Sequence, residues 1–135
     1  MYDINCDPSG TPISGSNPLP TQLGSEVQSV VIASGASLSA AIPKIGKSMI
    51  AIQTPAALDA AVLTFQGSMD GTTYCEIIDY TGSAVSTASV AASQCMSLDQ
   101  LALALAPYPY IKVRTGTAAV PQVQSAARTL LIGLA

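Results

Sequence analysis

The sequence predicts an all-β fold, an antiparallel β-sandwich or jelly roll, with an extended N-terminal arm and at most one short helix. Three observations predict it. After residue 24 the chain divides into short stretches that alternate apolar and polar side chains, glycine and proline recur between them, and one stretch alone has helical spacing. A length of 135 residues suits one domain with a core of its own.

Residues 1–24, MYDINCDPSGTPISGSNPLPTQLG, interleave Pro8, Pro12, Pro18 and Pro20 with Gly10, Gly15 and Gly24. Proline lacks the amide donor and glycine weakens both helix and strand, so this segment reads as an extended arm. Such an arm lies either on a partner or along its own domain, and the sequence leaves both open. Residues 25–135 form the sandwich domain in this scheme.

Within that domain, EVQSVVIASGASLSAAI predicts two short strands, Val27 to Ala33 and Ser37 to Ile42, with a turn at Ser34 and Gly35. SMIAIQTP predicts another, closed by Pro55. AAVLTFQGS puts Ala61, Leu63 and Phe65 on one face and Val62, Thr64 and Gln66 on the other. TYCEIID alternates likewise, and the Asp-Gly of Met69-Asp70-Gly71-Thr72 between the two predicts a hairpin turn, because glycine accepts positive φ. Thr81 to Ser93 has weak periodicity and is expected to be a loop with one edge strand at most. Ser97 followed by Gln100 has the form of a capping box, and Leu98, Leu101 and Leu105 recur near helical spacing, so a helix is expected to end before Pro107. YIKVRTGT predicts a half-exposed strand with Ile111 and Val113 inward, and RTLLIGLA a buried terminal strand.

Composition narrows function. Apolar residues make up 49% of the chain and charged residues 10%, against roughly 25% in an ordinary soluble domain. Charge is depleted where a partner covers a surface, so this deficit points to burial in an assembly, although Ser and Thr also keep a surface wet. Five basic residues, Lys44, Lys47, Lys112, Arg114 and Arg128, are scattered in a chain of net charge −3, which argues against a nucleic-acid partner. Apolar runs such as Leu101 to Ala106 fall short of the roughly 20 residues of a spanning helix, so no membrane span is expected. MYDINCDPSG shows neither the basic nor the apolar region of a secretion signal, and cytosolic synthesis is the expectation.

The sequence has no histidine, which removes Ser-His-Asp and Cys-His activation and the usual zinc sites, and no catalytic, cofactor or metal residue is expected. Glu76 and Asp79 lie near Asp70, as a glycosidase pair would require, but no sugar-stacking platform accompanies them. Asp70 as a calcium ligand lacks the further oxygens of a D-x-D-x-D-G loop. Arg114 and Arg128 would clamp either a partner's carboxylate or, as the favoured reading, Glu76 or Asp79 of the same chain. Cys6, Cys75 and Cys95 have no C-x-x-C spacing and read as buried small side chains, since pairing of Cys75 with Cys95 needs Cα atoms within about 7 Å.

Three segments in order, VVIASGASLSAAI, TPAALDAAVLTFQGSMDGTTYCEIID and YIKVRTGTAAVPQVQSAARTLLIGL, resemble a family of small virion proteins of tailed bacteriophages and prophages. That family carries an LTFQxSxDGxxY hairpin before an IKxRSGTxxxPVxQxxxR segment. The resemblance covers roughly Val30 to Leu134; Thr115 stands where the family often has Ser, and Met69 where it often has Ala or Asp. It implies a capsid decoration, or cement, protein at the virion surface, assembled in the host bacterial cytoplasm. Its implied partners are the major capsid protein and further copies of itself, as dimer or trimer. The arm is then the expected contact, through Tyr2, Ile4, Pro8, Pro12, Ile13, Pro18, Leu19 and Pro20. A neck or tail component and a glycan-binding sandwich module of a fibre are the alternatives, with Tyr108 and Tyr110 as the glycan contacts.

Overall fold

The computed structural model describes residues 26–135, so the arm and its expected contacts lie outside the described residues. The described chain is an all-β sandwich with one short helix. Among the described residues eight strands are present: β1 (Glu26–Ile32), β2 (Ile42–Pro43), β3 (Met49–Gln53), β4 (Leu63–Ser68), β5 (Cys75–Glu76), β6 (Cys95–Ser97), β7 (Tyr110–Thr115) and β8 (Arg128–Leu134), with α1 (Gln100–Leu105) between β6 and β7. They form two four-stranded antiparallel sheets, ordered β1-β8-β3-β6 and β2-β7-β4-β5.

The alternation read from the sequence sets the core. Val30 and Ile32 of β1, Ile52 of β3, and Leu130, Ile132 and Leu134 of β8 point in from the first sheet, to meet Leu63 and Phe65 of β4 and Ile111 and Val113 of β7. All are buried, several completely, and each such side chain contributes about 2 kcal/mol through removal from water. Leu98, between β6 and α1, and Leu105 at the end of α1 close one side of this core, whereas Leu103 faces solvent.

Four local expectations are corrected. The predicted strand Ser37 to Ile42 is reduced to single bridges from Leu38 to Arg114 and Ser39 to Ile32 before β2, because the chain there crosses from one sheet to the other. Ser97 is not a helix cap: it sits in β6 opposite Ala51, and Leu98 N–H continues the pairing by donating to Ile50 O. Asp99 occupies the N-cap instead, with positive φ and no side-chain cap bond, so sheet pairing has overridden the local capping signal. The Asp-Gly connector is a loop from Met69 to Tyr74, longer than a two-residue turn, since Gly67 pairs with Cys75 and Gln66 with Glu76. Cys75 and Cys95 are exposed free thiols in different sheets rather than buried side chains.

Thr81 to Ser93 is a loop that returns along β4 and the residues before it through isolated bridges, Thr64 to Ser86 and Ala61 to Val90. Val85 and Val90 drop into the core from it.

Candidate functional site

The two sheets present outer faces of opposite chemistry. On the β2-β7-β4-β5 sheet the outward positions are Tyr110, Lys112 and Arg114 of β7, Thr64, Gln66 and Ser68 of β4, and Glu76 of β5, aligned by the registers Thr64 to Arg114, Gln66 to Lys112 and Gln66 to Glu76. These side chains bind one another. Arg114 Nη1 donates to Glu76 Oε2 at 2.8 Å while Nη2 bonds Oε1, a two-point clamp, and Arg114 Nε donates to Thr64 Oγ1 at 3.1 Å. Gln66 Nε2 donates to the same carboxylate at 2.7 Å, and Lys112 Nζ lies 4.3 Å from the centre of the Tyr74 ring. Arg114 therefore pairs inside the chain, as favoured from the sequence. Arg128 does so with Asp59, at 3.9 Å, and not with Glu76 or Asp79.

The clamp has a pH signature. Arg114, with help from Gln66, holds the Glu76 carboxyl below its ordinary range. A folded-state pKa below the unfolded one adds stability that is complete above the unfolded value, near pH 4.3, and is lost as pH falls through the folded value. Glu76→Gln is expected to cost about 2 kcal/mol at pH 7, because a buried guanidinium loses its charged acceptor. Melting scans from pH 7 to pH 3 should show a shallower acid-side loss in this variant than in the wild type.

Asp70 uses its carboxylate on its own loop. Oδ1 accepts from the Thr73 and Thr72 amides and the Ser68 hydroxyl, each at 2.9 Å, and these bonds hold its pKa well below the usual carboxylate range. Ser68 Oγ in turn accepts from Gly71 N–H at 2.8 Å. Asp79 makes a similar turn with Thr81 and Ser83. Asp70 and Asp79 are thus each engaged in separate turns, and Glu76 in the clamp. Among the described residues no group of three or more Cys, Asp or Glu is arranged to hold a metal ion.

Tyr108 and Tyr110 both pack against the β4-β5 hairpin. A Cβ on Gly67 would stand 2.7 Å from Tyr108 Cγ, and one on Gly71 would stand 3.2 Å from Tyr110 Cε2. Both rings are half-buried. Tyr108 lines a hollow of about 280 Å³ with Gly67, Met69, Asp70 and Cys75, but Tyr110 does not join it there.

Two residues without a role in the sequence-based expectations prove central. Gln124 is completely buried: its Oε1 accepts from Asp59 N–H at 2.9 Å, and its Nε2 donates to Asp59 O and Thr115 Oγ1 at 3.2 Å. Its main chain clasps the Gly35-Ala36 turn. The resembling motif thus includes a glutamine that ties three segments together. Lys44 is buried too, and donates to the carbonyls of Leu105 and Ala106 at 2.6 and 3.1 Å at the helix C-terminus; burial lowers its pKa. A lysine in an Ile-Pro-Lys turn gives no local signal of this.

The outer face of the β1-β8-β3-β6 sheet is different in kind. The registers place Val27, Gly133, Ala51 and Ser97 in one row, Ser29, Leu131, Gln53 and Cys95 in the next, and Val31 beside Thr129. None of these ten positions is charged. Glu26 and Arg128, the charged residues of the four strands, are engaged by Lys47 and Asp59. Val27, Val31 and Leu131 are well exposed, and a shallow apolar groove of about 240 Å³ runs between Val27, Leu131, Gly133, Gln53 and Cys95.

In comparisons with known proteins, no family model, no curated protein and no solved structure matches this chain.

Proposed function

We propose that the chain is a non-enzymatic structural protein of a tailed-phage virion, a capsid decoration protein that docks on the head exterior and stabilises contacts between major capsid subunits. The observation that carries this reading is the charge-free outer face of the β1-β8-β3-β6 sheet. A free surface of ten sheet positions ordinarily carries several charges, and interface centres are the places depleted of them. The resemblance of the LTFQGSMDGTTY and IKVRTGT segments to virion proteins supplies the kind of assembly. The mechanism is mass action: a protein that binds only the assembled shell shifts the equilibrium toward it. On this reading the arm, with Tyr2 and the prolines named above, adds contacts beyond the sheet face.

The test is re-addition of purified chain to heads that lack it, followed by measurement of bound copies and of the temperature of genome release. Wild-type chain should bind and raise that temperature. Leu131→Asp, which places a charge in the middle of the face, should weaken binding at least tenfold, equivalent to about 1.4 kcal/mol. Unchanged binding by this variant would remove the face from the mechanism. Saturable glycan binding lost on Tyr108→Ala and Tyr110→Ala would put the fibre-module reading in its place.

A further inference from the structure

The four sheet edges are not alike. β2 and β5 bound one sheet with two residues each, and β6 bounds the other with three, followed directly by the helical segment. β2 ends in Pro43, which cannot donate to a further strand. β1 is a seven-residue edge without proline, lysine or bulge, and long flat edges of that kind are templates for strand pairing.

The hydrogen bonds show which part of this edge is open. Ala40 N–H donates to Val31 O at 3.3 Å, and Ser39 bridges Ile32, so residues 39–40 cover the C-terminal end of β1. Val31 O therefore points away from β8, and strand alternation directs the N–H and C=O of Ser29 and Val27 the same way. Among the described residues neither has a main-chain partner on that side. The open stretch is Glu26 to Val30, with Gln28 at its centre.

We infer that a second copy of this chain pairs there, β1 against β1, antiparallel about a two-fold axis at Gln28. Val27 of one copy then exchanges two main-chain hydrogen bonds with Ser29 of the other, and Ser29 with Val27, which uses every open donor and acceptor of the stretch. Sliding the register by one position on each strand would bring Val27 opposite Val31, whose carbonyl is already taken by Ala40. In the two-fold register Glu26 falls opposite Val30, so no like charges meet. The two four-stranded sheets become one of eight strands, and their charge-free outer faces join into a single surface of twice the area. This interface rests on the edge geometry and not on the virion role, so failure of one leaves the other standing.

Analytical ultracentrifugation of the full chain from micromolar to near-millimolar concentration tests it. Wild-type chain is expected at twice the 13.7 kDa monomer mass. Ser29→Pro should remain at the monomer mass with its melting temperature nearly unchanged, since the lost N–H points away from β8. Cross-linking fixes the register independently of that variant. In a chain with Cys6, Cys75 and Cys95 replaced by serine, Gln28→Cys should form a disulfide between copies on oxidation, because residues facing each other at a non-hydrogen-bonded position have Cα atoms about 4.5 Å apart. Ser29→Cys in the same background should not, since its two copies would lie about 8 Å apart along and across the strands. A monomer at every concentration, as when the chain's own N-terminal residues occupy the edge, overturns the inference. So does cross-linking through position 29 in preference to 28.

Discussion

Gly116→Ala is expected to lower the melting temperature by about 15 °C, as the sum of two costs that reach about 4 kcal/mol. Gly116 has φ of 90°, which L side chains rarely adopt, and a Cβ there would stand 2.4 Å from Gln122 N, 2.6 Å from Val120 O and 2.8 Å from Pro121 Cα. All three are main-chain atoms, so no side chain can swing aside. Relief requires moving the 117–122 turn, which breaks the bond from Gln122 N–H to Thr115 O, or moving Gly116 itself, which breaks the bond from its N–H to Val62 O. Gly82→Ala supplies the comparison. Its φ is 91°, yet a Cβ would meet nothing within 4 Å, so it reports backbone strain alone, on the order of 1 to 2 kcal/mol. Equal destabilisation of the two variants in thermal melts would show that the close packing under Gly116 has no part in holding the turn.

Gln124→Leu is expected to cost about 3 kcal/mol, read as a drop of roughly 10 °C in melting temperature. Leucine fills similar space but leaves Asp59 N–H, Asp59 O and Thr115 Oγ1 without the partner each has now. Loss of the amide also frees the loop that carries Asp59, whose carboxylate accepts from Ser125 N–H at 2.7 Å and faces Arg128. Gln122→Leu, two residues away and exposed, should change stability by less than about 0.5 kcal/mol. If the two substitutions cost the same in urea titrations, the network around Gln124 contributes nothing specific.

Much of the sandwich was legible because a strand with one dry face must alternate. Leu63 and Phe65, Ile111 and Val113, and Leu130, Ile132 and Leu134 all point where period two puts them. β6 escaped because Cys95, Met96 and Ser97 are too few to show a period, and their strand state comes from pairing with Ala51 to Gln53. Thr64 and Arg114 alternate outward as expected, but the Glu76 clamp covers them, so polarity alone misjudged their exposure. Charge inventory points to an internal partner for Arg114, Glu76 or Asp79, and the structure selects Glu76, whereas the Arg128 to Asp59 contact and the buried Lys44 depend on loop paths that leave no local mark.

The candidate surface was legible as a quantity and not as a place. A chain with 10% charged residues must have uncharged surface somewhere. Its location follows from the register of strands that begin at Glu26 and end at Leu134, and no window of sequence contains that register. Of the charged residues, Lys112, Arg114 and Glu76 lie on the opposite sheet and Asp70 and Asp79 in its loops, which is why the Asp-Gly loop reads as chemically richer than the face that carries the proposed function.

The most direct measurement is hydroxyl-radical footprinting of the chain on assembled heads against the chain free in solution. Docking through the charge-free face predicts that labelling of Leu131, Val27 and Cys95 falls several-fold on the particle, while Met69 and Tyr80, exposed outside that face, label as in the free chain. Protection of Met69 and the Tyr108 hollow with Leu131 still fully labelled would contradict the account and move the contact to the hairpin end of the sandwich.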